Sequence, residues 1–379
     1  MRALTLISRV LVGLLFIISG LIKANDPLGF SYKLDEYFEV FGMSFLTPAS
    51  LAMAMGICVV EIGLGVALIM GVYMNFTAWL LLLMIIFFTV LTGYSAVTGK
   101  VTDCGCFGDA IKLTPWESFF KDLVLLVLIG IIFIRRNYIE PLVSRLAGRT
   151  FTIAAYVLAF GFTLFTYLYL PVKDFRPYAI GKSIPEQMAV PDDAPQPVYE
   201  TKLIYKNKST GELREMSMDE YTASNIWEDE NWEWADTQNK LIKEGFIPKI
   251  ANFIVVDEDG TEIHDDLANN PEYNFILVAY DLSNTNKDVQ SKINELALKA
   301  QQNGYDFVGL TATSVKQTNE FRHEVQAMYP YYFADATFLK TIIRSNPGLL
   351  LVKGGTVVDK WPWRSIPTYE RIEEKHLKK

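Results

Sequence analysis

Residues 76–97 have the sequence FTAWLLLLMIIFFTVLTGYSAV, which contains no charged side chain. At a rise of about 1.5 Å per residue, a helix of this length crosses the roughly 30 Å hydrocarbon layer of a bilayer. Four further apolar runs of similar length are predicted to be membrane spans: 4–22, 51–72, 116–134 and 151–170. The sequence therefore predicts a polytopic membrane protein with about five transmembrane helices, in contact with membrane lipid.

The composition agrees with the prediction of a membrane protein. Hydrophobic residues make up 50% of the 379 residues, more than an ordinary soluble protein needs. The acidic residues behind the net charge of -8 lie mostly after residue 170, which argues against nucleic-acid binding. The three cysteines, Cys58, Cys104 and Cys106, all lie in the membrane half, so the soluble half is expected to depend on its core rather than on disulfides.

Basic residues predict the orientation. The loop before the last span is the most basic one and contains Arg135, Arg136, Arg145 and Arg149. Together with Arg2, it places the N-terminus in the cytoplasm by the positive-inside rule. Loops 23–50 and 98–115 and the part after residue 170 then face outward, which in a bacterial inner membrane is the periplasm. A cleaved signal peptide is the alternative for the first span, but Arg9 interrupts its apolar run.

The most specific local motif is Cys104-Gly105-Cys106, in an outward-facing loop between the third and fourth predicted spans. Gly105 permits the tight backbone that a C-x-C disulfide ring needs, and a strained ring of this kind is easily reduced. Exchange chemistry at Cys104 and Cys106 is therefore the leading hypothesis. A structural clip and a metal site are the alternatives, and no metal is expected because all three histidines lie in the soluble half.

Three side chains inside the predicted spans are candidates for function. Glu61 lies near the middle of the second span, where a carboxylate is costly, and Arg9 is its predicted ion-pair partner. Cys58 lies one helical turn from Glu61 on the same face. It is either a third thiol in a relay or a small core residue. Transport of a solute around Glu61 has less support, because no inverted repeat or interrupted helix is evident.

Three segments, together with Arg9, resemble the DoxX and MauE family of four-helix membrane proteins. They are SGLIKANDP at 19–27, EIGLG at 61–65 and CGCFG at 104–108. The resemblance implies a four-helix core over 1–150, followed by a fifth membrane helix over 151–171. MauE-like proteins are associated with maturation of the disulfide-rich methylamine dehydrogenase, and their bundle is similar to that of vitamin K epoxide reductase-like enzymes. The resemblance thus favours disulfide chemistry, with a quinone cofactor by analogy only.

Residues 172–248 are predicted to form an extended linker, beginning at Lys173, and a small α+β segment with a hairpin. This segment also contains an acidic tryptophan cluster, which is expected to cover the edge of the next domain or to bind a partner or a sugar. The cluster consists of Trp227, Trp232 and Trp234.

Strands and helices alternate over residues 249–379, which predicts an α/β domain. The order resembles the thioredoxin-like fold, particularly its TlpA and redoxin branch, with Pro347 at the position of the family's cis-proline. Where thioredoxins carry C-x-x-C, this chain has DLSNTN at 281–286 and no thiol. Without a thiolate nucleophile the domain cannot perform exchange, so Pro347, Ser283 and Asn286 are predicted to bind a partner.

Two functions remain open from the sequence. In the first, an oxidoreductase-type membrane protein uses the C-x-C pair in periplasmic thiol–disulfide chemistry or protein maturation, while the thiol-free domain holds a client. In the second, the chain is a non-enzymatic, membrane-anchored assembly or scaffold component of a cell-envelope complex.

Overall fold

The computed structural model describes residues 2–101, 105–196, 198–243, 245–251 and 253–378. Contacts divide the chain into two compact units. The first combines Met1–Ile184 with Ile254–Lys379, and the second is Pro185–Phe253. The membrane part and the C-terminal α/β domain therefore belong to one unit.

The membrane part is helical. Its helices are α1 (Arg2–Asn25), α2 (Pro27–Val40), α3 (Ser50–Met70), α4 (Met74–Thr98), α5 (Pro115–Arg135) and α6 (Arg145–Leu168). Within the described residues, four helical stretches are long and apolar enough to cross a membrane, by length and composition: Ala3–Asn25, Ser44–Met70, Met74–Thr98 and Arg145–Leu168. They correspond to four of the five predicted spans.

The remaining predicted span, 116–134, is helix α5. It packs into the same apolar core as α1, α3 and α4. It is not among the four apolar stretches, and its first two turns carry Glu117, Lys121 and Asp122. Asp122 is nevertheless buried and ion-paired with Lys121 at 2.6 Å. The bundle therefore encloses charged groups near the end that carries the C-x-C loop.

Glycines allow α1 and α3 to pack closely. A Cβ at Gly65 would lie 2.7 Å from the carbonyl oxygen of Gly13 and 2.7 Å from Ile17 Cγ1. By contrast, a Cβ at Gly56, on the same helix, would meet no atom within 4 Å. The close approach is thus local to the α1–α3 contact.

Gly65→Ala is expected to destabilise the bundle by about 1–3 kcal/mol, because the added methyl group forces the two backbones apart. Gly56→Ala is the matched control, and it should be neutral or stabilising by up to about 1 kcal/mol, since alanine suits a helix interior better. Thermal unfolding of the full chain in detergent measures both variants. Equal midpoints for the two would contradict the α1–α3 contact described above.

Helix α2 lies in the segment 23–50, which the sequence analysis assigned to an outward-facing loop. The Asp26 side chain accepts a hydrogen bond from the Gly29 backbone N–H at 2.9 Å, and Pro27 occupies the first turn. Both features are ordinary helix-start signals. The helix therefore begins immediately after α1 ends.

The C-terminal domain contains α9 (His264–Asn269), α10 (Gln290–Gln302), α11 (Val315–Val325), α12 (Ala336–Ile342), α13 (Tyr369–Ile372) and the strands β4 (Tyr273–Val278), β5 (Asp306–Thr311), β6 (Tyr331–Phe333), β7 (Gly348–Lys353) and β8 (Thr356–Pro362). The sheet order is β6-β5-β4-β7-β8. Strand β4 is parallel to β5 and antiparallel to β7, which is antiparallel to β8. This is the thioredoxin-like topology predicted from the sequence. The Asn346–Pro347 peptide bond is cis, which confirms the prediction for Pro347.

Residues 173–184, the first part of the predicted extended linker, contact both the membrane part and the C-terminal domain. Asn25 forms two hydrogen bonds with the Lys173 backbone, at 2.8 and 3.1 Å. Asp174 forms ion pairs with Arg176 at 2.7 Å and with the buried Lys360 at 3.0 Å. Because these polar groups find partners, the segment is fixed between the end of α1 and the C-terminal domain. Composition alone does not reveal such partners.

The second unit contains the short helices α7 (Ile184–Met188, at its boundary) and α8 (Met218–Ser224), and the strands β1 (Val198–Asn207), β2 (Leu213–Ser217) and β3 (Trp232–Lys243). Its sheet order is β2-β1-β3, with antiparallel pairs. The β1–β2 hairpin agrees with the prediction, whereas β3 was not predicted. Two of the three clustered tryptophans, Trp232 and Trp234, lie on β3, and the indole of Trp234 is exposed.

Candidate functional site

A buried ion pair lies inside the membrane bundle. Lys23 Nζ donates hydrogen bonds to both carboxylate oxygens of Glu61, at 2.6 and 2.7 Å, and each side chain is only 3% exposed. Lys23 also donates to Ser19 Oγ at 2.9 Å. A buried charge is tolerated when it is paired and hydrogen-bonded. The network of Ser19, Lys23 and Glu61 meets this condition.

The predicted ion pair between Arg9 and Glu61 is wrong. Arg9 donates instead to the backbone carbonyls of Leu68, Ile69 and Glu140. Because α1 and α3 are antiparallel, Arg9 lies level with the end of α3, and Glu61 lies level with residues near Gly20. The long side chain of Lys23 reaches Glu61 although Lys23 itself lies beyond the predicted end of the first span.

The network reaches the C-x-C loop. Ser19 Oγ lies 3.0 Å from the carbonyl oxygen of Cys106 and 3.2 Å from Glu61 Oε2. A serine hydroxyl has one proton, so Ser19 donates to one of these acceptors at a time. Cys106 is buried, with 8% of its surface exposed. Cys104, the other member of the predicted pair, lies outside the described residues.

A small cavity lies beside this network. Its volume is about 30 Å³, enough for about one water molecule, and Ser19, Lys23, Glu61 and Cys106 contribute to its wall together with the Lys121–Asp122 pair. Two ammonium groups and two carboxylates therefore surround a space that Cys106 also borders. The arrangement can hold a polar group next to the loop inside an otherwise apolar bundle.

Gly105 brings the same loop against helix α2. Its φ of +65° lies in the left-handed region, which glycine adopts without strain. A Cβ at this position would lie 3.2 Å from Lys33 Cγ on α2. Gly105 thus has a conformation that residues other than glycine rarely adopt, and α2 lies beside it.

Cys58 occupies an apolar environment. It is fully buried, in a cluster with Ala24, Phe30, Leu34 and Phe38, among others. Such surroundings are typical of a small core residue. The suggested relay from Cys58 to the loop cysteines remains an untested hypothesis.

The thioredoxin-like domain is attached to the same end of the bundle through Arg344. Arg344 Nε donates to both carboxylate oxygens of Asp26, at 2.9 and 3.0 Å, and a second guanidinium nitrogen lies 3.5 Å from Asp109. Burial alone would lower the pKa of Arg344, but Asp26 and Asp109 outweigh it and raise the pKa. Asp109 follows Cys106 by three residues, and Arg344 precedes Pro347 by three. One side chain thus connects the C-x-C loop to the cis-proline segment.

A pair of tyrosines forms a second contact. The hydroxyls of Tyr32, on α2, and Tyr280, after β4, lie 3.5 Å apart. Burial raises the pKa of both hydroxyls, so they remain neutral. Lys340 lies over both rings, at 4.8 and 5.9 Å from their centroids. The contact is therefore an aromatic one with a cation packed on it.

The loop 281–286 takes the place of a thioredoxin C-x-x-C. Burial would raise the pKa of Asp281, but hydrogen bonds from Ser283 and Asn284 outweigh this effect and lower it. Asn346 Nδ2 donates to the Asp281 carbonyl at 2.7 Å, and the Asn286 N–H donates to the Asn346 carbonyl at 3.3 Å. The loop and the cis-proline segment are therefore joined by hydrogen bonds.

Buried acceptors in this region lack partners among the described residues. They include Oδ1 of Asn286, Oδ1 of Asn346 and, on α2, Oδ1 of Asp35. Burial raises the pKa of Asp35. An unsatisfied buried acceptor is costly, so a hydrogen-bond donor from a bound molecule would stabilise these positions.

A cleft of about 810 Å³ opens between helix α2 of the membrane part and the C-terminal domain. One wall comes from α2, with Tyr32 and Asp35, and the other from the loop, with Asp281 and Ser283, and from Asn346. A pocket of this size is within the usual range for bound ligands. The structure therefore brings Ser283 and Asn346, the neighbour of Pro347, to one cleft.

Four residues of the site were not among the predicted ones: Ser19, Lys23, Asp26 and Arg344. Lys23 and Asp26 lie in the motif at 19–27 that carried the family resemblance, so a signal for them existed. Arg344 contacts a residue 318 positions away, and no local pattern predicts such a pair.

Comparisons with known proteins each match about a third of the chain. Residues 1–135 match the family model described as methylamine utilisation protein MauE. The membrane part is thus similar to MauE over these residues. Protein TlpB of Flavobacterium psychrophilum is 28% identical over 134 residues, or 33% of this chain and 35% of that protein. The chain thus spans about a third of the length of this relative.

Solved structures overlap with about a third of the chain. StoA from Bacillus subtilis is 13% identical and covers 32% of this chain and 93% of its own, with a TM-score of 0.26. PrxQ from Xylella fastidiosa is 17% identical and covers 34% of this chain and 87% of its own, with a TM-score of 0.26. The thioredoxin-like assignment rests on strand order rather than on these overlaps.

Proposed function

We propose that this protein takes part in thiol–disulfide exchange at the periplasmic side of the bacterial inner membrane. In this proposal the N-terminus is cytoplasmic, and the C-x-C loop and the thioredoxin-like domain are periplasmic. Cys104 and Cys106 alternate between dithiol and disulfide. The thiol-free domain holds a segment of the client protein in the cleft through Ser283 and Asn346. Asn286 and Pro347, the other predicted partner-binding residues, belong to the same loop and the same cis-proline segment but are not among the residues that line the cleft.

The observation that carries the proposal is the position of α2. Lys33 on this helix packs against Gly105 of the C-x-C loop, while Tyr32 and Asp35 line the cleft. Arg344 adds a second link, from the cis-proline segment to Asp109. A polypeptide held in the cleft would therefore lie close to the C-x-C loop, which supplies the thiols that the domain itself lacks.

The exchange balances without any bound cofactor. A client dithiol loses two electrons and two protons as its disulfide forms, and the Cys104–Cys106 disulfide gains them and becomes a dithiol. A second protein of the thiol–disulfide class then accepts the two electrons and two protons and restores the pair. The same steps in reverse would reduce a client disulfide.

The quinone suggested by family analogy stays an untested prediction. No step of the proposed exchange passes through a quinone.

The test uses Cys104→Ser, Cys106→Ser and the double variant, with Cys58→Ser as the control cysteine. Alkylation of free thiols in whole cells, and in membranes across a glutathione titration, gives the redox state and potential of the pair. We expect a mixed population with a potential at or above about -230 mV, the range of exchange-active pairs. Each loop variant should abolish exchange, and Cys58→Ser should retain it.

A different outcome favours the second function. A fully oxidised pair with a potential below about -300 mV is a structural bond. If the double variant also keeps full activity in the cell, the chain is an assembly or scaffold component of an envelope complex.

A further inference from the structure

The Ser19–Glu61–Lys23 network has no role in the exchange as proposed so far. It is buried in the membrane domain, and the hydrogen bond from Ser19 to the Cys106 carbonyl links it to the C-x-C loop. Buried ionic groups are costly to maintain for stability alone. Their contact with one of the two loop cysteines points to a function in positioning that cysteine.

We infer that Cys106 is the inner thiol of the pair, held inside the bundle by Ser19, Glu61 and Lys23, so that it does not bond to the client. This inference rests on the proposed function and deepens it. The ion pair fixes Ser19, and Ser19 fixes the Cys106 backbone. Cys106 is then kept at the wall of the small internal cavity, away from the cleft, whose lining it does not join.

With Cys106 as the inner thiol, the order in which the S–S bonds form and break is fixed. When a client thiol loses its proton and attacks the disulfide, the client sulfur bonds to Cys104 and the Cys104–Cys106 bond breaks. Cys106 leaves with the electron pair of that bond and takes up the proton that the client thiol gave up. In the opposite direction, Cys106 attacks the mixed disulfide and releases the client. Ser19, Glu61 and Lys23 act through Cys106 and are positioning residues.

Oxidised glutathione is the probe. It is added to the full chain in native membranes, with only one loop cysteine present in each variant, and the modified residue is identified by mass spectrometry. In Cys106→Ser the remaining Cys104 should form the mixed disulfide. In Cys104→Ser the remaining Cys106 should react at least about tenfold more slowly, because access limits exchange.

Ser19→Ala then tests the positioning role in the Cys104→Ser background. Loss of one hydrogen bond should make opening of the Cys106 segment, and hence its modification, about three- to tenfold more frequent. Ser8→Ala is the matched control, because Ser8 is a buried serine of the same helix whose Oγ has no partner among the described residues. Ser19→Thr retains the hydroxyl and should restore the slow rate.

The outcomes separate the two proposals. Equal rates at Cys104 and Cys106, or equal effects of Ser19→Ala and Ser8→Ala, would overturn the inner-thiol assignment while leaving exchange chemistry intact. Absence of any mixed disulfide, together with full activity of the double cysteine variant, would overturn the proposed function itself.

Discussion

Glu61→Leu should lower the unfolding free energy of the membrane domain by about 3–5 kcal/mol, because it leaves the ammonium group of Lys23 buried without its partner. Both groups are 3% exposed, so neither can turn to water without opening the bundle. Lys23→Met should have a similar effect, since it leaves the Glu61 carboxylate unpaired. Denaturant or thermal unfolding of the full chain in detergent measures the loss.

The double variant Lys23→Met with Glu61→Leu is the decisive comparison. Replacing both members of a buried pair with apolar residues is often neutral or stabilising, so the double variant should recover most of the stability. Glu39→Gln is a control for an exposed carboxylate of the same domain, and it should change little. Additive losses in the double variant would show that the two side chains do not interact.

Arg344→Met is expected to weaken docking of the thioredoxin-like domain on the bundle by about 2–5 kcal/mol, the range for truncating one partner of a buried charge pair at an interface. The change leaves Asp26 without the guanidinium that contacts both of its oxygens. Faster hydrogen exchange should follow in α2 and in the loop 281–286. The interiors of β4 and β7 should keep their protection, since the domain core does not depend on Arg344.

Arg371→Met provides the control for loss of an arginine from the same domain, because Arg371 is exposed on α13. It should leave the exchange of α2 and the loop unchanged. If both variants behave alike, Arg344 does not hold the domain in place. Asp109→Asn should give a smaller effect than Arg344→Met, because its contact is longer, at 3.5 Å.

Much of the fold could be predicted from the sequence, because the length of the apolar runs and the spacing of apolar residues indicate helices and strands. Apolar runs predicted the membrane helices, and the alternation of strands with helices predicted the thioredoxin-like order, including cis Pro347. The helix α2 was missed because the region was assigned to a loop, although Asp26 and Pro27 form a helix start.

The candidate site could be predicted only in part. Glu61 and the C-x-C motif stand out by residue type, but their partners depend on which residues face each other across α1 and α3. Lys23 lies outside the predicted apolar run, and its side chain extends back into the bundle. Arg344 is joined to Asp26 across 318 positions, a contact that only the packed structure reveals.

The size of the cleft limits which part of a client protein it can hold. A folded domain of about 100 residues has a radius of gyration of about 13 Å, too large for a cleft of about 810 Å³. An unfolded stretch of a few residues is what such a space can admit. Under the proposed function, a client therefore enters the cleft through an extended stretch of chain, such as an unfolded segment or an exposed loop or terminus of a folded protein.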